Sequence, residues 1–391
     1  MARRIKNVVI VCSLLGGMSL FFQFASKEKG MSTSNLKDIN NQRHHIRGNE
    51  DLPQSGDYLT QREVKTNNVT SKIDSAAEDF KRQSTKETAE APAIYHSPKQ
   101  DGWDLEQERR KAILSKTCQQ HPEWNYSLDT LSHQPDKLRH FLYNDEYKVI
   151  YCSICKVAST AWKSAFLVLM GRYKKVEDVN FDQWSKLLPI LPSLGKMKNP
   201  EEIKRKLQTY KKFVFVREPF SRALSGYRNK LYKRNRYFEQ LVGRKIIELF
   251  RKNATKMDLK TGIGVTFKEF LQHLTQTQPH ELNPHWKPMY LITNPCAVQY
   301  DYIGHLETGA WDIENILNKT GLGKVVNIPK PKSSLSNSDD IFSRFYGDID
   351  AELINATYET FRYDFQSFGY PVPQLIKDKL RSQANGTEGH R

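Results

Sequence analysis

Neither GxxxxGK followed by Ser or Thr nor GxGxxG occurs anywhere in the 391 residues, so nucleotide folds built on a Walker loop or a dinucleotide fingerprint find no support. Cysteine is scarce. The chain has five, and its one Cys-x-x-Cys, formed by Cys152 and Cys155, has neither a second such pair nor a nearby pair of histidines. That removes a structural zinc site, and the thioredoxin context is missing too. Acidic residues are in deficit, 44 against 60 basic, for a net charge of +16. Positive potential over a cleft concentrates anionic ligands. Much of the charge nevertheless lies in the polar N-terminal region and in solvated stretches such as Lys196 to Lys212 and Lys230 to Arg236.

Long apolar runs are few as well. The stretch from Val8 to Ala25 carries no charge, about the minimum length for a membrane span. Arg3, Arg4 and Lys6 before it place the N-terminus in the cytosol. A cleaved signal peptide is the rival, since the run is short and Ala25-Ser26 offers small residues, but Gln23 opposes cleavage there. A basic chain also raises nucleic acid as a partner, and a membrane anchor removes most of that appeal. The expected organisation is a cytosolic tail over 1–7, a transmembrane signal anchor over 8–25 and a stem over 26–107. The stem is rich in Ser, Thr, Asn, Gln, Lys and Glu, too polar to bury enough surface to offset chain entropy, and reads as disordered. A lumenal domain over 108–378, long enough for one sizeable α/β core, and a C-terminal tail over 379–391 complete it.

Six sequons lie beyond the apolar run, at Asn68, Asn125, Asn253, Asn318, Asn355 and Asn385, and all become glycan sites to test if that side is lumenal. Apart from Cys12 in the anchor, Cys118, Cys152, Cys155 and Cys296 remain, an even number for an oxidising compartment. Three pairings satisfy it.

Two segments carry the chemistry. In the first, Val149 and Ile150 begin a strand that ends in a loop with Lys156, Ser159 and Thr160, just where a helix from Trp162 to Met170 should start. Such a loop offers N–H groups, hydroxyls and a cation to a phosphate. In the second, the run Phe213-Val-Phe-Val216 leads to Arg217, Pro219 suits the first turn of a helix, and Ser225 lies two turns further on. An arginine fork and a hydroxyl there can share one phosphate monoester. Taken singly, Lys156 is an ordinary solvated loop lysine and Arg217 an ordinary helix entry; their joint occurrence, each between an apolar strand and an amphipathic helix, favours function.

Together these segments resemble the two motifs with which sulfotransferases bind 3′-phosphoadenylyl sulfate (PAPS). With His285-Trp286, Pro295-Cys296, Tyr300-Asp-Tyr-Ile-Gly304 and Asp364-Phe-Gln-Ser-Phe-Gly-Tyr370, the chain is similar to the Golgi carbohydrate sulfotransferases from about Tyr147 to Tyr370. That family includes the chondroitin and dermatan 4-O-sulfotransferases, the GalNAc 4-O-sulfotransferases and the HNK-1 sulfotransferase. Departures occur at Cys155, where relatives usually have Pro, at Ser159 and Ala161, where they often have Cys and Asn, and at Thr293, which replaces a further cysteine. The paired loss at Ser159 and Thr293 fits a disulfide between those positions in relatives.

The resemblance implies a three-layer α/β domain with a mainly parallel sheet and a P-loop-like PAPS-binding loop, behind an N-terminal anchor and stem, in a single-pass type II Golgi membrane protein. It implies PAPS as donor and no metal. Donor contacts fall on Cys155, Lys156, Val157, Ala158, Ser159, Thr160 and Ala161, and on Arg217, Glu218, Pro219, Phe220, Ser221, Arg222, Ala223, Leu224 and Ser225. Sulfuryl transfer needs a cation at the departing phosphate and a base at the attacking hydroxyl. Lys156 fills the first role and His285 the second, with His305 and Glu218 as fallback bases. The acceptor is an anionic or GalNAc-containing glycan, the 4-OH of N-acetylgalactosamine in chondroitin or dermatan ahead of terminal GalNAc and glucuronate 3-OH. Two other classes compete. A lumenal glycosyltransferase would use Asp348-Ile-Asp350 as a metal motif, although helix capping explains those aspartates better. A catalytically silent glycan binder would account for the altered Cys155, Ser159 and Ala161.

The expected topology is open to a direct check. In sealed microsomes the domain should resist added protease and gain gel mobility on glycan removal; a freely soluble, unglycosylated product contradicts the anchor.

Overall fold

The computed structural model describes residues 101–180, 183–329 and 339–388. The expected cytosolic tail, the anchor, Asn68 and all of the stem before Asp101 lie outside the described residues.

Apolar and aromatic tetrads and one hexad make the strands: β1 (Phe141–Asn144), β2 (Val149–Cys152), β3 (Lys211–Val216) and β4 (Tyr302–His305), in the spatial order β1-β2-β3-β4. A short turn joins β1 to β2, braced by the Tyr147 N–H donating to Asn144 Oδ1 at 2.9 Å, so this pair is antiparallel. The later connections are long enough for crossovers, and β2, β3 and β4 run parallel. Every residue of β2 and all but the first of β3 are buried, the mark of strands covered on both faces. The expected α/β class with a mainly parallel sheet is therefore met, with four strands among the described residues. Gly304 is a packing necessity: a Cβ there would lie 2.6 Å from the Phe215 ring on the neighbouring strand.

Register decides where function gathers. Cys152 pairs with Val214, and Val216 with His305, so the loops after β2, β3 and β4 leave the sheet at its carboxyl edge, the usual ligand side of such sheets. Helix α1 (Asp101–Gln120) precedes β1, α2 (Ser159–Leu169) follows β2, α3 (Pro200–Thr209) leads into β3, and α4 (Pro219–Tyr227) follows it.

The expected stem boundary at residue 107 is too late. Trp103 is buried, and its indole N–H donates to Asp312 Oδ1 at 2.9 Å, while Arg110 Nη1 reaches the same oxygen at 2.9 Å. The Gln107 amide accepts from the Ile303 N–H at 2.8 Å and donates to the Ile303 carbonyl at 3.2 Å, so α1 closes the exposed edge of β4 as another strand would. The polar composition concealed this, because α1 docks through polar and charged groups. Asp312, on α5 (Gly309–Thr320), also accepts from the His305 N–H at 2.9 Å and from the Thr308 hydroxyl at 2.5 Å. One buried carboxylate thus ties three segments together.

The expected tail from residue 379 is corrected too. Helix α6 (Ala351–Phe368) is followed by α7 (Gln374–Glu388); in α7, Leu380 is buried and the Lys379 ammonium donates to the Gly347 and Ile349 carbonyls, both at 2.7 Å. The expected pairing of all four cysteines is met only by half: Cys118–Cys296 forms and fastens α1 to the segment before β4, while Cys152 and Cys155 stay free thiols. Among the described residues no helix is long and apolar enough to cross a membrane.

Trp103→Ala should therefore destabilise the domain by about 3–5 kcal/mol, the range for emptying a buried aromatic site. Urea unfolding measures it, and a loss under about 1 kcal/mol would return α1 to the stem.

Candidate active site

The loop after β2 holds two non-glycine residues in the left-handed region, Lys156 at φ 74° and Ala158 at φ 60°. Such conformations are costly outside glycine and concentrate at functional sites. Alternation of this kind turns successive N–H groups toward one point, the geometry of an anion-binding nest. Ala158 stands at the start of α2 with no side chain to cap it, leaving the first amides of the helix for another acceptor. Val157 and Ser159 are buried, Cys155, Lys156 and Ala161 half-buried, and Thr160 exposed.

After β3, Pro219 takes the first helical position of α4 and Glu218 caps it, accepting from the Phe220 and Ser221 N–H groups at 2.9 and 2.6 Å. Both carboxylate oxygens are thereby engaged, which leaves Glu218 a capping residue and a poor base; burial raises its pKa to about 7. Phe220, Ala223 and Leu224 face the core. They fix the helix against the sheet and have no exposed side-chain surface. Arg217 is only 2% exposed, and its Nη1 donates to the Lys156 carbonyl at 3.3 Å. The two motifs meet in that bond. Ser225 is half-buried on the same helix.

Arg222 does the joining. Its Nε donates to the Cys155 carbonyl at 3.1 Å, Nη1 to Lys287 at 2.8 Å and Nη2 to Pro284 at 3.0 Å. A side chain expected at the donor instead sets the first loop against the segment that carries His285. From the other side Asp364 accepts from the Met289 and Tyr290 N–H groups at 2.7 and 2.8 Å. A Cβ on Gly226 would sit 3.1 Å from the His285 carbonyl, so glycine lets α4 approach that closely.

His285 donates Nδ1–H to Asn283 Oδ1 at 2.7 Å, and the same oxygen accepts the His285 backbone N–H at 3.1 Å. An amide oxygen only accepts, so the tautomer is fixed and the lone pair lies on Nε2. Burial first, then Lys230, Lys156 and Lys163, push the imidazole down to about 2, and it is neutral. Burial, then Lys230 and Arg217, bring the Lys156 ammonium down to about 8. Lys230, read in the sequence as part of a solvated run, comes to the site through the π-helical turn Arg228–Tyr232. No sequence period signals that turn.

His305 is a core residue: its ring stacks on Tyr370 with centroids 4.6 Å apart, and it is buried at the end of β4. Asp350 caps α6 through the Leu353 N–H at 2.9 Å and pairs with Lys268 at 2.8 Å, as the capping reading requires. No group of three or more His, Cys, Asp or Glu residues suited to a metal occurs among the described residues. Asn125, Asn253 and Asn318 are exposed, and Asn355 is half-buried on α6.

The sulfotransferase family model matches residues 139–371, the span that holds both loops and His285. Carbohydrate sulfotransferase 11 of Rattus norvegicus is 35% identical over 278 residues, 70% of this chain and 78% of that protein. The chain belongs to the carbohydrate sulfotransferases. Carbohydrate sulfotransferase 14 of Danio rerio is 34% identical over 279 residues, 70% of this chain and 74% of its own, and human carbohydrate sulfotransferase 8 is 27% identical over 274, 68% and 63%. No solved structure matches. This sulfotransferase thus has its activity class from kinship; Arg222 and Asp364 brace the site, and Lys230 adds a cation from a stretch that reads as solvated in the sequence.

Arg222→Lys should cost about 2–4 kcal/mol, because one ammonium cannot satisfy three diverging carbonyls at these positions. Stability within 0.5 kcal/mol of wild type, read by urea unfolding, would refute the bracing role.

Proposed function

We propose that this sulfotransferase moves a sulfuryl group from PAPS to the 4-OH of N-acetylgalactosamine in chondroitin or dermatan, in the Golgi lumen, anchored through residues 8–25. The observation that carries this reading is the convergence of Lys156, Arg217 and Lys230 with a neutral, tautomer-fixed His285 at one sheet edge. The donor set fits an adenylyl sulfate with a second phosphate: a loop of amides with one lysine, then a buried arginine at the mouth of the helix that carries Ser225.

Arg217 and Ser225 hold the 3′-phosphate. Lys156 and the amides from Val157 to Ala161 face the 5′-phosphosulfate, where negative charge grows on the departing phosphate as its S–O bond breaks. His285 Nε2 takes the proton of the acceptor hydroxyl while that oxygen forms the new S–O bond. Burial is the first cause of its low basicity, and the charges of Lys230 and Lys156 come next. A bound anionic donor offsets those cations and raises the basicity at the moment it is used.

The direct test is incubation of the protein with radiolabelled PAPS and a panel of desulfated chondroitin, dermatan, GalNAc-terminated and glucuronate-terminated acceptors, followed by disaccharide analysis. Label on GalNAc O-4 of the polymers is the expected outcome; label confined to terminal GalNAc or to glucuronate O-3 would reassign the acceptor.

Lys156→Ala should lower kcat roughly a hundredfold, the loss of about 3 kcal/mol seen for one preorganised donor, with adenosine 3′,5′-bisphosphate binding much less affected. Because the free lysine titrates near pH 8 and must be charged to act, kcat/KM for PAPS should fall as pH rises above about 8. Lys156→Arg should move that limb to higher pH. Wild-type turnover by Lys156→Ala at saturating PAPS would sink the assignment.

A further inference from the structure

A cavity of about 130 Å³, not used by the mechanism above, is lined by Arg139, His140, Ser153, Lys163, Ser193 and Lys196, with leucines on its apolar wall. No carboxylate among the described residues lines it. The Lys196 ammonium is fixed on the Pro189 and Leu191 carbonyls, at 2.7 Å each, which places its charge without neutralising it. Arg139 is held by the Asp136 carbonyl at 2.9 Å, and the Asp136 carboxylate, 3.9 Å away, is exposed to water. Lys163 is half-buried with no ion-pair partner among the described residues. Ser153 adds a buried hydroxyl whose oxygen has no hydrogen-bond partner among the described residues.

Three fixed or half-buried cations and an unpartnered buried hydroxyl around one hollow call for an anion with hydrogen-bonding oxygens. The volume is well below the roughly 300–1,000 Å³ that enclose a whole drug-sized ligand. It suits one anionic group of a larger molecule. The cavity also adjoins the reacting groups. Ser153 directly follows β2, and its N–H donates to the His140 carbonyl at 2.8 Å; Lys163 lies one helical turn beyond Ser159, and its charge acts on both His140 and His285.

We propose that this cavity is an acceptor subsite that takes the carboxylate of the uronate next to the N-acetylgalactosamine whose hydroxyl meets His285. The assignment rests on the acceptor reading above. Arg139 and Lys163 pair with the carboxylate, and Ser153 and Ser193 supply hydroxyl donors. His140, neutral because burial and the surrounding cations push it down to about 3, adds a ring nitrogen without charge.

The test measures binding of a chemically desulfated chondroitin hexasaccharide to the full-length protein without donor. It also measures initial rates on desulfated chondroitin and on the same polymer with its uronates reduced to alcohols. Lys163→Gln and Arg139→Gln should each weaken hexasaccharide binding and raise the acceptor KM about tenfold, the effect of one charge-assisted contact, with the donor KM unchanged. Lys163→Arg, which keeps the charge, should retain the wild-type KM. On the carboxyl-reduced polymer the wild type should already show the weaker KM, and the Gln variants should add nothing to it. An equal penalty on both polymers, or a rise in donor KM, overturns the subsite and leaves the proposed function standing. Hexasaccharide binding that is present in the wild type and lost in the variants, without sulfuryl transfer to either polymer, keeps the subsite and removes the function. Wild-type affinity for adenosine 3′,5′-bisphosphate certifies that each variant is folded, and failure of the wild type to bind the hexasaccharide also overturns the proposal.

Discussion

Arg222 is the constraint on which the site depends. Its guanidinium lies on α4 and reaches three carbonyls from two other segments, Cys155 in the first loop and Pro284 and Lys287 around His285. Only a planar fork with several N–H groups reaches such a set at once. The lysine, the histidine and the helix that follows Arg217 are thus positioned by one side chain that need not touch a substrate. Burial lowers its pKa to about 10, with Asp364 acting in the opposite sense.

The same device recurs in the rest of the domain. Asp312 gathers Trp103, Arg110, Thr308 and the His305 amide. Asp364 holds the first two amides of the Met289–Thr293 helix. Glu307 accepts from the Glu218 N–H and the Tyr370 hydroxyl, both at 2.9 Å, tying the C-terminal motif to the mouth of α4. A sheet of four short strands gives the loops at its carboxyl edge limited support, and, besides the exposed Glu307, the buried Asp312, Asp364 and Arg222 supply the remainder. Removing one partner of such a group costs several kcal/mol, because the other is left charged or unpaired inside the protein. The cations at the sheet edge are different in kind. Lys156 and Lys230 repel one another and depress His285, an arrangement that an anionic ligand relieves.

Local sequence determined a good deal here. The apolar runs gave β2 and β3, Pro219 gave the start of α4, and Asp350 gave the start of α6, because strand burial, proline at a first turn and side-chain capping are decided by near neighbours. Lys156, Arg217 and His285 were legible as residue types in a pattern, and the family followed from them. Tertiary structure alone decided the rest. It joined Cys118 to Cys296 while leaving Cys152 and Cys155 free, drew Trp103 out of an apparent stem, brought Lys230 to the site and assigned Arg222 to backbone carbonyls. Those outcomes depend on partners more than sixty residues away in the chain, and on charged groups whose burial is repaid only where the fold supplies the opposite charge or an unpaired carbonyl. No periodicity or local propensity encodes such pairings, and so the sequence named the chemistry while the fold decided which groups perform it and which hold them in place.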